Sequence, residues 1–205
     1  MISAVQNAGN WESYWAFVAA GAVESAYAIK QKTNLIDLSE QQLIDCSDEY
    51  GNYGCTGGLA TQGMEYLQYN KFCYEDDYKY IARDDSCHSS DCSHTIQKIQ
   101  GTQNIESCDL DEFLEAIKKG PIAAAVNSKG DGWANYEGGI IKSDNCSSSV
   151  DRGVLIVGYK DGNFIVKNHE GTKWGESGYA RLSADGNNGW GACGIMTQGT
   201  VPKLS

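Results

Sequence analysis

Apolar residues recur at helical spacing from the start of the chain. Phe17, Ala20, Gly21, Val23 and Tyr27 predict a buried helix from about Ser13 to Lys32. Lys30 and Lys32 suit the negative pole of its dipole. Leu38–Cys46 predicts a second, short helix, with Ser39 as N-cap and Gln42 three residues on to complete a capping box. The glycine-rich stretch Gly54-Cys55-Thr56-Gly57-Gly58 predicts a tight loop. A third helix should follow from Leu59 to Asn70, with Met64, Tyr66 and Leu67 in the core. Residues 83–95 are polar and cysteine-bearing, which predicts a surface loop. The pattern changes over Gly101 to Ser107, a stretch that reads as a crossover between two halves. Asp109 to Ile117 is amphipathic with acids in its first turn, hence helical, and Gly120-Pro121 ends it. Beyond lie strand patterns at 122–126, 153–159, 163–167 and 178–182, with Asp161-Gly162 as a hairpin turn. A helical half followed by a β half is an α+β arrangement.

Composition narrows the function classes. With 205 residues the chain can bury a core without metal or oligomerisation. Hydrophobic content of 41% and charged content of 21% are those of a globular protein. Sixteen Lys+Arg stand against 27 Asp+Glu, a net charge of -11, which argues against nucleic acid or anionic membrane as partner. No apolar run approaches the roughly 20 residues that span a bilayer, so no membrane insertion is expected. Residues 1–5 carry no cationic stretch followed by an apolar one, so no secretory leader is recognised there. Eight cysteines indicate an oxidising history. None is spaced with histidine for zinc; Cys87-His88 and Cys92-Ser93-His94 read as a bridged loop with exposed histidines, and no metal or cofactor is expected. Asn145-Cys146-Ser147 is a formal glycosylation sequon, but the half-cystine at its centre counts against its use.

Several segments resemble the papain and cathepsin L family of cysteine proteases: Trp15-Ala16-Phe17, Leu38 to Cys46, Gly54 to Gly58, Tyr136 to Ile140, Val157-Gly158-Tyr159, Val166-Lys167-Asn168 and Trp174 to Tyr179. The resemblance covers nearly the whole chain, apart from the first residues of the usual mature N-terminus. It implies the papain-like two-lobe fold, a helical left lobe over 1–104 and a β-barrel right lobe over 105–205, with the C-terminal tail returning to the left lobe. It also implies a secretory, lysosomal or extracellular setting.

The same resemblance implies that the family's chemistry has been replaced. A cysteine protease needs a thiolate, a base, a group that orients the base and donors for the oxyanion. The nucleophile position, before Trp15, holds Tyr14; the oxyanion-hole glutamine position holds Ala8; the histidine of Val-Asp-His is Arg152. A phenol titrates near 10 and a guanidinium accepts no proton. The orienting asparagine persists as Asn168, but the Ser-Trp after it is His169-Glu170. Ser13 is rotated about 100° around the helix from Tyr14, and His169 should point away from Asn168 as a surface histidine. A Ser13/His169 dyad is therefore not expected. Arg152 is expected to pair with Glu170 or Glu12, or to lie on the Tyr14 ring. By resemblance Gly57, Gly58, Leu59, Ala125, Gly153, Trp174 and Gln198 line a remnant substrate cleft.

The resemblance pairs Cys46 with Cys87 and Cys146 with Cys193. Cys73 and Cys92 are extra and could pair with each other. Cys55 loses its family partner, whose position is Trp11, and with Cys108 is left over; spacing alone settles none of these pairings. The reading that follows is a non-catalytic papain-like homologue, a binding or structural component whose partners are other proteins. The rivals are an active cysteine-type or rearranged serine-type endopeptidase, and a peptide- or sugar-binding module.

Overall fold

A computed structural model describes residues 2–9, 12–186 and 189–204. The chain divides into two compact units. The first holds residues 8–103 with the C-terminal stretch from Pro202, and the second holds 104–201. Residues Ala4–Asn7 go with the second unit, not with the helical one that follows them in sequence.

The first unit is built around α1 (Tyr14–Gln31), which is buried on almost every side, as expected of a helix apolar all round. Lys32 ends it in the left-handed conformation. The indole of Trp15 donates to the Gly54 carbonyl at 3.2 Å. A Cβ on Gly58 would lie 2.8 Å from that ring and 2.4 Å from Asn52 Oδ1, so close approach, not positive φ, requires glycine there. In α2 (Glu40–Cys46), Ser39 Oγ accepts from Gln42 N at 2.9 Å. The reciprocal half of the capping box is absent. The Gln42 amide instead donates to the Tyr66 hydroxyl and the Lys71 carbonyl and accepts from Cys73 N, tying α2 to α3 (Ala60–Tyr69) and to β1 (Phe72–Cys73). β1 pairs antiparallel with β2 (Thr95–Ile96). Glu24, buried in α1, accepts the Leu38 N–H at 2.9 Å.

The boundary between the units runs through β3 (Gly101–Ile105) and β9 (Gly199–Lys203). The stretch read as a plain crossover is thus largely a strand, paired to a C-terminal one far away in sequence. The second unit contains α4 (Leu110–Ile117), β4 (Ile122–Val126), α5 (Asp131–Ala134), β5 (Ile140–Ile141), β6 (Arg152–Lys160), β7 (Asn163–Lys167) and β8 (Tyr179–Ser183). The sheet order is β3-β9-β4-β6-β7-β8-β5. Asp109 caps α4 by accepting from Glu112 N. Asp161 and Gly162 both take positive φ, 50° and 81°, the geometry of a two-residue hairpin turn. Phe113, Trp133, Phe164, Val166, Leu182 and Ile195 centre the core.

Three disulfides are formed: Cys46–Cys87, Cys73–Cys92 and Cys146–Cys193. Two of them staple the polar 83–95 stretch, which is mostly exposed. Its histidines are exposed too, His88 stacked on Tyr78 and His94 against Asp77. No helix of the described residues is long and apolar enough to cross a membrane, and no cluster among them could hold a metal ion.

Candidate functional site

At the start of α1, Tyr14 is the first helical residue and is half-buried. Ser13 precedes it and makes no side-chain cap. Its hydroxyl is fully buried and lies 3.2 Å from the Tyr80 hydroxyl, which donates to the Ala8 carbonyl at 2.8 Å. Tyr80 thus ties Ser13 to the loop before the helix, and burial raises its phenol above the usual value. A buried serine in this arrangement is not presented for attack. No local sequence signal marks Tyr80 for this role; only its long-range contacts reveal it. Ala8, where the resemblance puts the oxyanion donor, is itself fully buried.

The glycine loop follows in the same unit. Gly57 takes φ 127°, Gly57 and Gly58 are half-buried, and Leu59 is 53% exposed at the start of α3. Cys55 is free and buried. Burial first, then the nearby Asp84 carboxylate, pushes its thiol up to about 12. Asp84 also accepts the Cys55 N–H at 2.7 Å. This thiol is protonated and inert at any physiological pH. Trp11, expected beside it, lies outside the described residues.

In the second unit the hairpin β6–β7 carries the remaining positions. The pairs run Lys160↔Asn163, Tyr159↔Phe164 and Gly158↔Ile165, then shift by one residue at a bulge to Ile156↔Val166 and Leu155↔Lys167. β7 ends at Lys167, and beyond it Glu170 reaches the Arg152 side chain of β6. Arg152 Nη1 donates to Glu170 Oε1, with side chains 17% and 29% exposed. Glu170 is among the partners foreseen for Arg152.

Asn168 follows β7 and is fully buried, its backbone N–H donating to the Gly178 carbonyl at 3.0 Å. Neither polar atom of its side-chain amide has a hydrogen-bond partner among the described residues. His169 was expected on the surface and is instead fully buried. The reason is the N-terminal segment, which bridges Asn7 to Glu170, accepts Gly171 N–H at the Gln6 carbonyl, and packs Val5 against Gly178. Burial, with Lys167 and Arg152 adding positive charge nearby, holds His169 well below its usual pKa, so it stays neutral. Ala125 and Gly153 sit opposite each other on β4 and β6, Trp174 packs against Trp133 and Tyr136, and Gln198 is exposed before β9.

The profile of the papain family of cysteine proteases matches residues 1–203. The chain belongs to the papain family. A cathepsin L-like proteinase of Phaedon cochleariae is 38% identical over 208 residues, covering 98% of this chain and 62% of the relative. A cathepsin L-like protein of Caenorhabditis elegans is 37% identical over 217 residues, covering 100% and 61%. The chain therefore spans about three fifths of the curated relatives it matches. The crystal structure of the Carica candamarcensis cysteine protease CMS1MS2 in complex with E-64 superposes with a TM-score of 0.94 at 31% identity, over 100% of this chain and 94% of that one. This papain-family fold thus comes with Tyr14, Arg152 and Ala8 where the resemblance puts nucleophile, base and oxyanion donor.

Proposed function

We propose that this papain-family protein is non-catalytic and serves as a binding or structural component that engages other proteins. The residue types carry the reading: by resemblance, Tyr14 takes the family's nucleophile position and Arg152 its base position. A neutral phenol attacks amides poorly near neutral pH, and a permanently charged guanidinium cannot remove its proton. Loss of nucleophile and base together removes the mechanism; it does not merely slow it. Two features support the reading. Arg152 is committed to Glu170, an acid at the position where the family carries a tryptophan. Asn168, with no histidine to orient, has an amide without a partner among the described residues.

The test is incubation of the purified protein with a panel of fluorogenic peptides and with an epoxide inhibitor of cysteine proteases. No turnover and no covalent adduct is the expected result. Turnover that survives repurification and disappears on substitution of Tyr14, Ser13 or His169 refutes the proposal in favour of an active peptidase. The three disulfides support a secretory, lysosomal or extracellular setting.

A further inference from the structure

We infer that Asn145 is an N-glycosylation site, taking an oligosaccharide on its side-chain nitrogen in the secretory pathway; this rests on the secretory setting proposed above. Asn145-Cys146-Ser147 is the one Asn-x-Ser/Thr tripeptide of the sequence. Its central half-cystine raises the question of whether bridge and glycan exclude each other. The folded chain leaves room for both. Cys146 is bridged to Cys193, while Asn145 ends a short 3-10 turn with its side chain exposed.

The two ends of that side chain are used differently. Oδ1 accepts the Lys142 N–H at 2.9 Å, while Nδ2 makes no hydrogen bond among the described residues. The amide that results from glycosylation keeps its oxygen as acceptor, so the Lys142 bond survives modification. The inner part of the residue is packed. A Cβ on Gly132 would lie 2.5 Å from Asn145 Cβ, and one on Gly130 would lie 2.9 Å from the Asn145 carbonyl and 2.5 Å from Cys146 Cβ. These two glycines hold the turn from beneath and leave the amide facing outward. Ser147, the third residue of the sequon, is also exposed. In the transfer, a lipid-linked oligosaccharyl pyrophosphate is the donor. The bond from Nδ2 to the sugar C1 forms, the C1–oxygen bond to pyrophosphate breaks, and Nδ2 loses one proton.

The experiment is secretion of the chain from a eukaryotic cell behind a secretion leader, followed by peptide mapping before and after an amide-cleaving N-glycosidase in 18O-labelled water. The expected result is a glycan-bearing peptide that collapses to one labelled aspartate at position 145. Asn145→Gln and Ser147→Ala should each abolish it, and Ser147→Ala leaves the Lys142 bond in place. Secreted chain with its three bridges formed and the peptide at unmodified mass overturns the inference. Finding the six bridging cysteines reduced in the protein's own cells overturns the secretory setting instead, whatever the occupancy in the forced-secretion experiment.

Discussion

Glu75 gives a pH dependence that can be worked out from its surroundings. The carboxylate is half-buried between the loop after β1 and the start of α2, and its Oε1 accepts the Tyr80 N–H at 2.8 Å. Burial first, then the Asp37 and Glu24 charges, push its pKa from 4.5 up to about 7, against the opposing pull of the Tyr80 bond and Lys79. Between these two values the folded chain holds a proton that the unfolded chain has released. Stability attached to Glu75 is therefore complete below 4.5 and lost as pH rises towards 7. At about 1.4 kcal/mol per pH unit the upper limit is about 3 kcal/mol; partial solvent access reduces the expectation to about 1–2 kcal/mol. Glu75→Gln keeps an oxygen for Tyr80 N–H and removes the charge. Urea unfolding with bridges intact, at pH 5 and pH 8, measures the effect. Relative to wild type, the variant should gain about 1–2 kcal/mol between the two. Because the comparison is between proteins at each pH, the opposite acid-side loss from neutral His169 cancels. An equal change with pH in both proteins refutes the argument.

The other outcomes concern the rewired positions. Arg152→Ala should destabilise by about 1–3 kcal/mol by stranding Glu170, and the double variant with Glu170→Ala should cost less than the sum of the two; additivity within about 0.3 kcal/mol would show the pair to be energetically idle. Asn168→Leu should stay within about 1 kcal/mol of wild type in chemical denaturation, since no hydrogen bond is given up. A loss above about 3 kcal/mol would show that the amide is bonded after all. Iodoacetamide should label half-buried Cys108 in the folded protein and leave Cys55 untouched, with both reacting once the unreduced chain is unfolded; comparable native rates at the two thiols contradict the account of Cys55.

Helices and strands were legible because their signals are local. Periodicity marked α1, amphipathicity with acids in the first turn marked α4, Ser39 announced the α2 cap, and Asp161-Gly162 marked the hairpin. The capping box at α2 shows where a local signal fails. Gln42 sits at the right spacing, yet three long-range partners compete successfully for its amide. His169 fails for the same reason. Alternation along β7 concerns one sheet, whereas burial of His169 follows from a segment that precedes α1 by a few residues and joins the other unit.

Sequence alone determined the chemistry available: a phenol, a guanidinium, an asparagine and eight cysteines follow from residue type and order, but not which cysteines pair or that the Asn168 amide goes unpartnered among the described residues. Only the tertiary structure decided which of these groups meet. One extra residue at the β6 bulge moves the hairpin register by one, so that Leu155 faces Lys167, and Arg152 meets Glu170 past the end of β7. Side chains alternate faces along a strand, so a single-residue shift changes every partner beyond it, and no pattern of residue types around Ile156 to Gly158 states that the shift occurs.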